Sequence, residues 1–328
     1  MKVAIVGAGA IGAYVGLRLA LAGEEVTFIA RGANLEAIRA RGVRVIAADG
    51  KEEAATNVRC TSDYGEAGAQ DLVILAIKAH QVEAVATEVP RMFHTETCVI
   101  PMQNGIPYWY FHRHGGELAG TRVCSVDPNG VIGAQIPPER VIGCVVYPAA
   151  ELVSPGVVQH IEGNRFPLGE PDGSTSERVT RVSASFNAAG LQAPVLSDIR
   201  SEIWLKLWGN LTFNPISALS RATLASICQY PPSRELAVAM MTEAQTVAGK
   251  LGITFRVPLE KRIAGAERVG HHKTSMLQDV EAGRALEIDA LLGSVDELAR
   301  LTNTATPHID TVLALTKLLA KTLEESRS

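Results

Sequence analysis

The stretch KVAIVGAGAIGAYVGLRLALAGEEVTFIA, residues 2–30, decides the fold of this chain. It opens with an apolar, β-branched run at 2–6, which leads directly into the glycine pattern G-x-G-x-x-G at 7–12. Helical spacing follows over 11–22, and a second β-rich run closes the unit at 25–30. A strand, a glycine turn, a helix and a further strand in this order predict a βαβ unit.

The three glycines of this turn have different physical purposes. Gly7 allows a tight turn, Gly9 lets a pyrophosphate approach the backbone, and Gly12 lets the helix pack closely on the strand. The helix N-terminus offers free N–H groups and the positive end of its dipole to the phosphates. The predicted dinucleotide site is therefore the six-residue turn Gly7, Ala8, Gly9, Ala10, Ile11 and Gly12. The alternative is a glycine turn without a ligand.

The chain continues to alternate strands and helices as far as Pro194. The apolar runs 71–77 and 97–102 are typical of strands buried on both faces of a parallel sheet, and 34–41 and 79–89 carry helical spacing. Further elements are predicted as strands at 120–126, 141–148 and 156–168 and as a helix at 177–189 that Ser174 or Ser176 caps. This alternation predicts an α/β fold with a Rossmann-like, doubly wound sheet.

The residues after Pro194 show almost no strand-like alternation. Helices are predicted at 199–213, 216–226, 233–251, 257–268, 273–281, 284–302 and 309–324. We therefore predict two domains, an NADP-binding, Rossmann-like domain at 1–194 and an all-α substrate and dimerisation domain at 195–328.

The composition is that of a globular protein and excludes several functional classes. Hydrophobic residues make up 47% of the 328 residues, charged residues make up 20%, and the formal net charge is −4. This balance disfavours a nucleic-acid-binding protein, and no apolar stretch approaches the roughly 18 residues that cross a bilayer. The five scattered cysteines form no Cys-x-x-Cys pair, which fits a reducing cytoplasm. His271-His272 and His112-x-His114 lack companion ligands, so we expect no metal site.

Polar residues follow three of the predicted strands, where ligands bind in a doubly wound sheet. Arg31 follows the second strand, and no carboxylate lies between the end of that strand and Glu36. This favours NADP over NAD, because an arginine accommodates the 2′-phosphate whereas an acidic residue binds the free ribose. Lys78 and Asn104 follow the next two apolar runs, where Lys78 can meet phosphates or ribose and Asn104 the nicotinamide and substrate. The alternatives are a solvated arginine and an ordinary Asn-Gly turn.

The most informative segment outside the glycine turn is IWLKLWGNLTFNP, residues 203–215. Lys206, Asn210 and Asn214 recur every four residues and form one slanted stripe on a helix whose other positions are nearly all apolar. Such polar groups need partners, and a lysine in apolar surroundings suits acid–base chemistry because burial disfavours its charged form. The alternative is a snorkelling lysine with two structural asparagines.

A second group of polar residues lies in TSMLQD, residues 274–279, and in RALEID, residues 284–289. Ser275 is placed to cap a helix or to bind a carboxylate, and Glu287 lies between leucine and isoleucine. By themselves these residues are more typical of helix caps and exposed charges than of a site.

Taken together, these motifs resemble the ketopantoate reductase (2-dehydropantoate 2-reductase) family essentially from end to end. The tracts EIWLKLWGNLTFNP at 202–215 and SMLQD at 275–279 with EID at 287–289 are far more specific than the glycine turn. The resemblance implies NADPH-dependent reduction of a small-molecule 2-oxo acid to a 2-hydroxy acid, usually ketopantoate to D-pantoate in pantothenate biosynthesis.

The resemblance also implies roles for individual residues. Lys206 is the expected catalytic acid, and Glu287 is expected to bind the substrate hydroxyl or to assist the lysine. The expected substrate ligands are Asn104, Asn210, Asn214 and Ser275, and the expected NADP ligands are the six-residue glycine turn, Arg31, Lys78 and Asn104. These roles fit the chemistry, because negative charge grows on the carbonyl oxygen as hydride arrives and a cation that donates a proton stabilises it.

One tract departs from the family's pattern and leaves alternatives open. After Asn104-Gly105 the chain reads IPYWYF, residues 106–111, whose aromatic residues either belong to the core or shape a pocket for a bulkier oxo acid. The first alternative is a D-2-hydroxyacid dehydrogenase acting on another oxo acid. The second is a non-catalytic NADP(H)-binding regulator, which leaves the lysine stripe unexplained. The resemblance favours a homodimer, and we expect it in the cytoplasm, bound to neither nucleic acid nor membrane.

Overall fold

The structure, a computed structural model, describes residues Met1–Ser326 as two compact units. The first comprises Met1–Gln103, Tyr108–Arg122 and Asp127–Ile199, and the second comprises Asn104–Pro107, Val123–Val126 and the chain from Arg200 onward. The main boundary lies a few residues after the one that the sequence predicts between 194 and 195. The sequence does not predict that two short segments, 104–107 and 123–126, belong with the second unit.

The elements of the first unit are short strands and helices in alternation. The strands are β1 (Lys2–Val6), β2 (Glu25–Ile29), β3 (Val43–Ile46), β4 (Glu52–Ala55), β5 (Arg59–Thr61), β6 (Leu72–Leu75), β7 (Cys98–Pro101), β8 (Gly143–Cys144), β9 (Ala149–Ser154), β10 (Val157–Glu162) and β11 (Leu168–Gly169). The helices are α1 (Ala10–Leu21), α2 (Gly32–Arg41), α3 (Tyr64–Ala67), α4 (Glu83–Ala86), α5 (Val131–Gln135) and α6 (Glu177–Ala188).

The central sheet of the first unit is parallel throughout and has the strand order β5-β2-β1-β6-β7. Counted along the chain, this order is 3-2-1-4-5, which is the Rossmann order 3-2-1-4-5-6 without the sixth strand. β1 pairs with β2 from Lys2↔Glu25 and with β6 from Val3↔Leu72. The strand order therefore reverses between β1 and β6, and the predicted doubly wound architecture is confirmed.

Helix α1 packs against the central sheet and against a second sheet of order β4-β3-β10-β9. On the central sheet, Gly16 lies so close to the Phe28 ring that a Cβ there would be 2.3 Å from it. Tyr14 stacks on His160 of β10, with ring centroids 4.6 Å apart. Contacts on both sides explain why the α1 sequence is apolar on nearly all its faces.

Several predicted elements of the first unit need correction. The predicted helix 79–89 divides into the 3₁₀ turn Ala79–Gln81, α4 and the 3₁₀ turn Val89–Met92, because Pro90 removes an N–H and disfavours helical backbone before it. The predicted strand 120–126 is wrong, since this segment forms turns. Only β8, β10 and β11 form within the predicted strands 141–148 and 156–168. The predicted helix 177–189 is confirmed as α6, and Ser176 is its cap, with Oγ accepting from the Val179 N–H.

The second unit is helical in the part that the structure describes. Its helices are α7 (Ile199–Ser220), α8 (Leu224–Gln229), α9 (Pro231–Lys250), α10 (Leu259–Arg268), α11 (Ser275–Glu281), α12 (Ser294–Leu301) and α13 (Pro307–Glu325), with a π-helical turn at Asp289–Gly293. Among the residues described, no helix combines the length and the apolar character that a membrane span requires.

Two predicted helices of the second unit have different bounds. The sequence predicts separate helices at 199–213 and 216–226, whereas α7 continues through Pro215 and α8 begins later. Residues 211–218 are all buried, so their packing outweighs the proline's cost of about 3 kcal/mol in a helix interior. The predicted helix 284–302 begins late, because 284–287 form no regular secondary structure and the π-helical turn precedes α12.

Candidate active site

The turn between β1 and α1 needs glycine at its first and third glycine positions. Gly7 has a φ of +100°, and a Cβ there would lie 2.5 Å from Ile77 Cγ2. A Cβ on Gly12 would lie 2.0 Å from the Gly7 carbonyl oxygen. A side chain on Gly12 would therefore push α1 away from the turn after β1, and a side chain on Gly7 would clash with the segment that follows β6.

Gly9 lies in a different environment. A Cβ built on Gly9 would meet no atom of the described chain within 4 Å, so the backbone at this point borders open space. Gly9 precedes α1, whose first turn carries no acidic side chain. The N–H groups at the start of α1 therefore face no repelling carboxylate from their own turn, which is the environment that an anionic phosphate requires.

The loops after β2 and β6 flank this turn, because β2, β1 and β6 are neighbouring parallel strands. Arg31 follows β2, is exposed, and precedes α2, whose first turn also lacks an acidic side chain. Lys78 follows β6 and is half-buried, and its backbone N–H donates to Gln81 Oε1 at 3.1 Å. The first unit thus aligns Arg31, the glycine turn and Lys78 along one edge of its sheet.

The second unit brings together Lys206 and Asn104, two of the residues singled out in the sequence. Lys206 is half-buried on α7 between buried neighbours, and its Nζ donates to Asn104 Oδ1 at 2.7 Å. Asn104 is also half-buried. The amine of a lysine on a largely apolar helix is thus hydrogen-bonded to a side-chain amide oxygen, and such a bond is stronger in these surroundings than in water.

The remaining polar residues of α7 follow the predicted stripe. Asn210 is half-buried and Asn214 is buried. Beside them, the Arg262 guanidinium of α10 lies over Gly209, where a Cβ would be 2.0 Å from Nη2. The sequence does not predict this arginine, and the signal available was a glycine in a helix interior, which has a cost of about 1 kcal/mol unless something approaches closely.

Ser275 and Glu287 lie in different local settings. Ser275 is exposed and is the first residue of α11, but the cap of this helix is Thr274, whose Oγ1 accepts from the Leu277 N–H. The predicted capping role of Ser275 is therefore wrong, and the other prediction for this residue, that it binds a carboxylate, stays a prediction. Glu287 is half-buried in the irregular segment that leads into the π-helical turn.

The two short segments that join the second unit are tied to the chain around α12. Ile106 donates its N–H to the Ala290 carbonyl oxygen at 3.0 Å. Glu297 accepts from the backbone N–H groups of Cys124 and Ser125, both at 2.7 Å, and from Ser125 Oγ at 2.6 Å. The loop that carries Asn104 is therefore hydrogen-bonded to Ala290 two residues after Asn104.

The aromatic tract after Asn104 is mostly core of the first unit. Trp109 is 2% exposed, and Tyr110 and Phe111 are fully buried. The Tyr108 hydroxyl donates to the Ile136 carbonyl oxygen at 2.9 Å, and burial raises the pKa of this phenol. Of the two interpretations that the sequence left open, the structure supports the core.

Comparison with known proteins gives matches in both halves of the chain. Residues 3–173 match the family described as ketopantoate reductase PanE/ApbA, and residues 198–320 match the family described as ketopantoate reductase PanE/ApbA C terminal. A 2-dehydropantoate 2-reductase from Mesorhizobium japonicum is 54% identical over 321 residues, which is 98% of each chain.

Solved structures give the same picture. A ketopantoate reductase homologue from Ralstonia solanacearum superposes with a TM-score of 0.93 at 43% identity and covers 98% of both chains. D-mandelate dehydrogenase, solved with NADH and anilino(oxo)acetate, superposes with a TM-score of 0.84 at 24% identity and covers 99% of this chain and 100% of that one. At that identity the second likeness concerns the fold alone.

Proposed function

Because this chain belongs to the ketopantoate reductase family of oxidoreductases, we propose that it reduces 2-dehydropantoate to D-pantoate with NADPH, as a step of pantothenate biosynthesis. The observation that carries the proposal is the hydrogen bond of 2.7 Å from Lys206 Nζ to Asn104 Oδ1. It orients a cationic proton donor within the helix that also carries Asn210 and Asn214. This is the arrangement that a 2-oxo acid needs, since its carbonyl oxygen gains negative charge on reduction.

The residues of the first unit fit a dinucleotide with a 2′-phosphate. The open backbone at Gly9 and the start of α1 suit the pyrophosphate, which we place against Gly7, Ala8, Gly9, Ala10, Ile11 and Gly12. Arg31 is exposed beside a helix turn without acidic side chains, so it is suited to the 2′-phosphate, and Lys78 to the phosphates or ribose. The bound cofactor supplies the hydride.

The residues of the second unit bind the oxo acid and move the proton. Lys206 donates a proton to the substrate oxygen, and Asn104 orients the ammonium group and contacts both cofactor and substrate. Asn210, Asn214 and Ser275 donate hydrogen bonds to the substrate, and Glu287 accepts from its hydroxyl or assists Lys206. A displacement of the substrate by about 1 Å would weaken the alignment of donor and acceptor, so several polar side chains are needed to fix its position.

We also propose that the enzyme acts in the cytoplasm as a homodimer, with the small-molecule oxo acid as its partner in the reaction. The five cysteines support a reducing compartment, and those at 60, 98, 144 and 228 are buried thiols. Sedimentation equilibrium tests the dimer, because a monomer has a mass of 34.9 kDa.

The proposal is tested by NADPH oxidation with a panel of 2-oxo acids led by 2-dehydropantoate. We expect a kcat/KM above about 10⁴ M⁻¹ s⁻¹ for this substrate. In Lys206→Ala we expect kcat to fall by about two to four orders of magnitude while the Kd for NADPH stays within about twofold, because the lysine acts on the substrate oxygen. Lys261→Ala, an exposed lysine of α10, is the matched control.

The possible outcomes separate the parts of the proposal. Fast turnover of another oxo acid, with slow turnover of 2-dehydropantoate, would keep the lysine mechanism and replace the substrate. Near-normal turnover in Lys206→Ala would remove the lysine from its role. Tight NADPH binding without turnover of any oxo acid would favour a regulator.

A further inference from the structure

The π-helical turn Asp289–Gly293 changes which carbonyl groups the following N–H groups reach. The Ser294 N–H bonds to the carbonyl oxygen of Asp289, five residues earlier. In an α-helix the same N–H would bond to Ala290. The turn therefore releases the Ala290 carbonyl oxygen from the Ser294 N–H.

This carbonyl oxygen has two other donors. It accepts from the Ile106 N–H at 3.0 Å and from Ser294 Oγ at 2.7 Å. Ser294 is fully buried, so its hydroxyl has no access to solvent as an alternative partner. The π-helical turn thus uses a backbone acceptor of its own to bind the loop that carries Asn104.

Gly105 makes this contact possible. Its φ is +91°, and a Cβ on it would lie 1.9 Å from the Ala290 carbonyl oxygen and 2.5 Å from the carbonyl carbon. Glycine is therefore required both for the backbone conformation and for the space. Ile106, which follows Gly105, donates its N–H to the Ala290 carbonyl oxygen. Asn104, which precedes Gly105, accepts a hydrogen bond from Lys206 Nζ at 2.7 Å.

The geometry points to the π-helical turn as the device that positions Asn104 against Lys206, with Gly105 and Ser294 as positioning residues for the reaction. This inference rests on the proposed function of Lys206. Neither Gly105 nor Ser294 needs to touch substrate. Each acts by keeping the Ala290 carbonyl oxygen and the loop together, so that Asn104 Oδ1 stays within hydrogen-bond distance of the ammonium group.

A double-mutant cycle tests the inference in the full-length protein. Gly105→Ala should lower kcat by about 10–100-fold, the range expected when a catalytic group is misplaced by about 1 Å, and leave the Kd for NADPH near that of the parent. Added to Asn104→Ala, it should have almost no further effect on kcat, because both changes remove the same contact to Lys206. Gly252→Ala is the matched control, since Gly252 lies in the same unit with a φ of +80° and open space around its Cβ.

A second readout does not require turnover. The rate at which Lys206 is acylated by acetic anhydride, measured by peptide mass spectrometry, should rise about fivefold in Gly105→Ala and in Asn104→Ala. A hydrogen bond of about 1 kcal/mol corresponds to this factor. Gly252→Ala should label at the parental rate. Ser294→Ala removes one donor to the Ala290 carbonyl oxygen with little change in volume, and it should also raise the labelling rate of Lys206. This second variant tests the inference even where Gly105→Ala does not fold.

The outcomes distinguish this inference from the proposed function. Additive effects on kcat in the cycle, or parental labelling of Lys206 in both Gly105→Ala and Ser294→Ala, would overturn the positioning role. If the parent protein turns over no 2-oxo acid, the proposed function fails, and labelling alone then decides whether the π-helical turn positions Asn104.

Discussion

At the scale of single residues, Asp172 carries a carboxylate whose ionised form is strongly favoured. Ser174 donates to it from Oγ at 2.6 Å and from its backbone N–H at 3.0 Å, and Arg113 Nη1 donates at 2.6 Å. The Ser174 hydrogen bonds, followed by the Arg113 contact, lower the pKa of Asp172 below its ordinary value. The folded state therefore binds this proton less readily than the unfolded state does.

The sign of the resulting pH dependence follows directly. Because the folded pKa is the lower one, ionised Asp172 stabilises the fold above the ordinary aspartate pKa of about 4, and this stabilisation is lost as the pH falls through the lowered pKa. We expect Asp172→Asn to lower the urea midpoint at about pH 7, with a difference from the parent that narrows on acidification below about pH 4. Asp49→Asn, in the exposed turn between β3 and β4, is the control. A difference that widens in acid would contradict the prediction.

The sequence predicts why a particular residue is required at a position when the contacting residue lies in the same motif. Gly7 and Gly12 are needed for the turn and for close packing, as the G-x-G-x-x-G pattern indicates, and the structure confirms both requirements. Asn104 and Gly105 show the limit. The pair reads as an ordinary turn, because the atom that requires glycine belongs to Ala290, far along the chain, and no local pattern names it.

At the scale of elements, a carboxylate of α9 caps the N-terminus of α13. Glu243 accepts from the backbone N–H groups of His308 and Ile309 at 3.0 and 2.9 Å and from His308 Nδ1 at 2.6 Å. Its side chain is only 11% exposed. A carboxylate at this position satisfies N–H groups that have no partner within the helix and also meets the positive end of the helix dipole.

We expect Glu243→Gln to lower the free energy of unfolding by about 1–2 kcal/mol, the usual cost of removing a helix cap. Chemical denaturation followed by circular dichroism measures this loss. Glu235→Gln, an exposed position on the same helix, should be neutral within about 0.5 kcal/mol. Equal stability of the two variants would show that α13 does not depend on this contact.

The elements that the sequence predicts correctly are those with strong periodicity or continuous apolar runs, such as β1, α1, β6 and α9. The failures have tertiary causes. α7 continues through Pro215 because the residues on both sides of it are buried, and propensity alone predicts a break there. The segment 120–126 is predicted as a strand, yet the N–H groups of Cys124 and Ser125 donate to the Glu297 carboxylate and not to a neighbouring strand.

At the scale of the whole molecule, binding of the cofactor should stabilise the folded protein against heat. NADPH at about 100 times its Kd adds about 2.7 kcal/mol to the free energy of unfolding. If Arg31 contacts the 2′-phosphate, NADPH should raise the Tm more than NADH does at equal concentration. Arg31→Ala should remove the difference between the two cofactors, because the change removes the cation that we place against the 2′-phosphate.

Arg41→Ala is the control for this comparison, since Arg41 is exposed at the far end of α2. Differential scanning calorimetry measures all the shifts. Equal stabilisation of the parent by NADPH and NADH would indicate that the enzyme does not select NADP through Arg31.

The overall architecture is largely readable from the sequence. The alternation of short apolar runs and helical spacing predicts the parallel sheet, and the loss of strand-like texture after Pro194 predicts the helical half. The assignment of the segments 104–107 and 123–126 to the second unit is beyond such patterns. Their attachment depends on Ala290 and Glu297, which lie in a different part of the chain.

The path of the chain has a consequence for how this protein can be taken apart. The backbone passes from one unit to the other after residues 103, 107, 122, 126 and 199. A single protease cut near 199 would leave Asn104 on one fragment and Lys206 on the other. A gene fragment that ends there would likewise encode Asn104 without Lys206. Each unit is therefore built from segments on both sides of the other along the chain, and no single cut separates the two units.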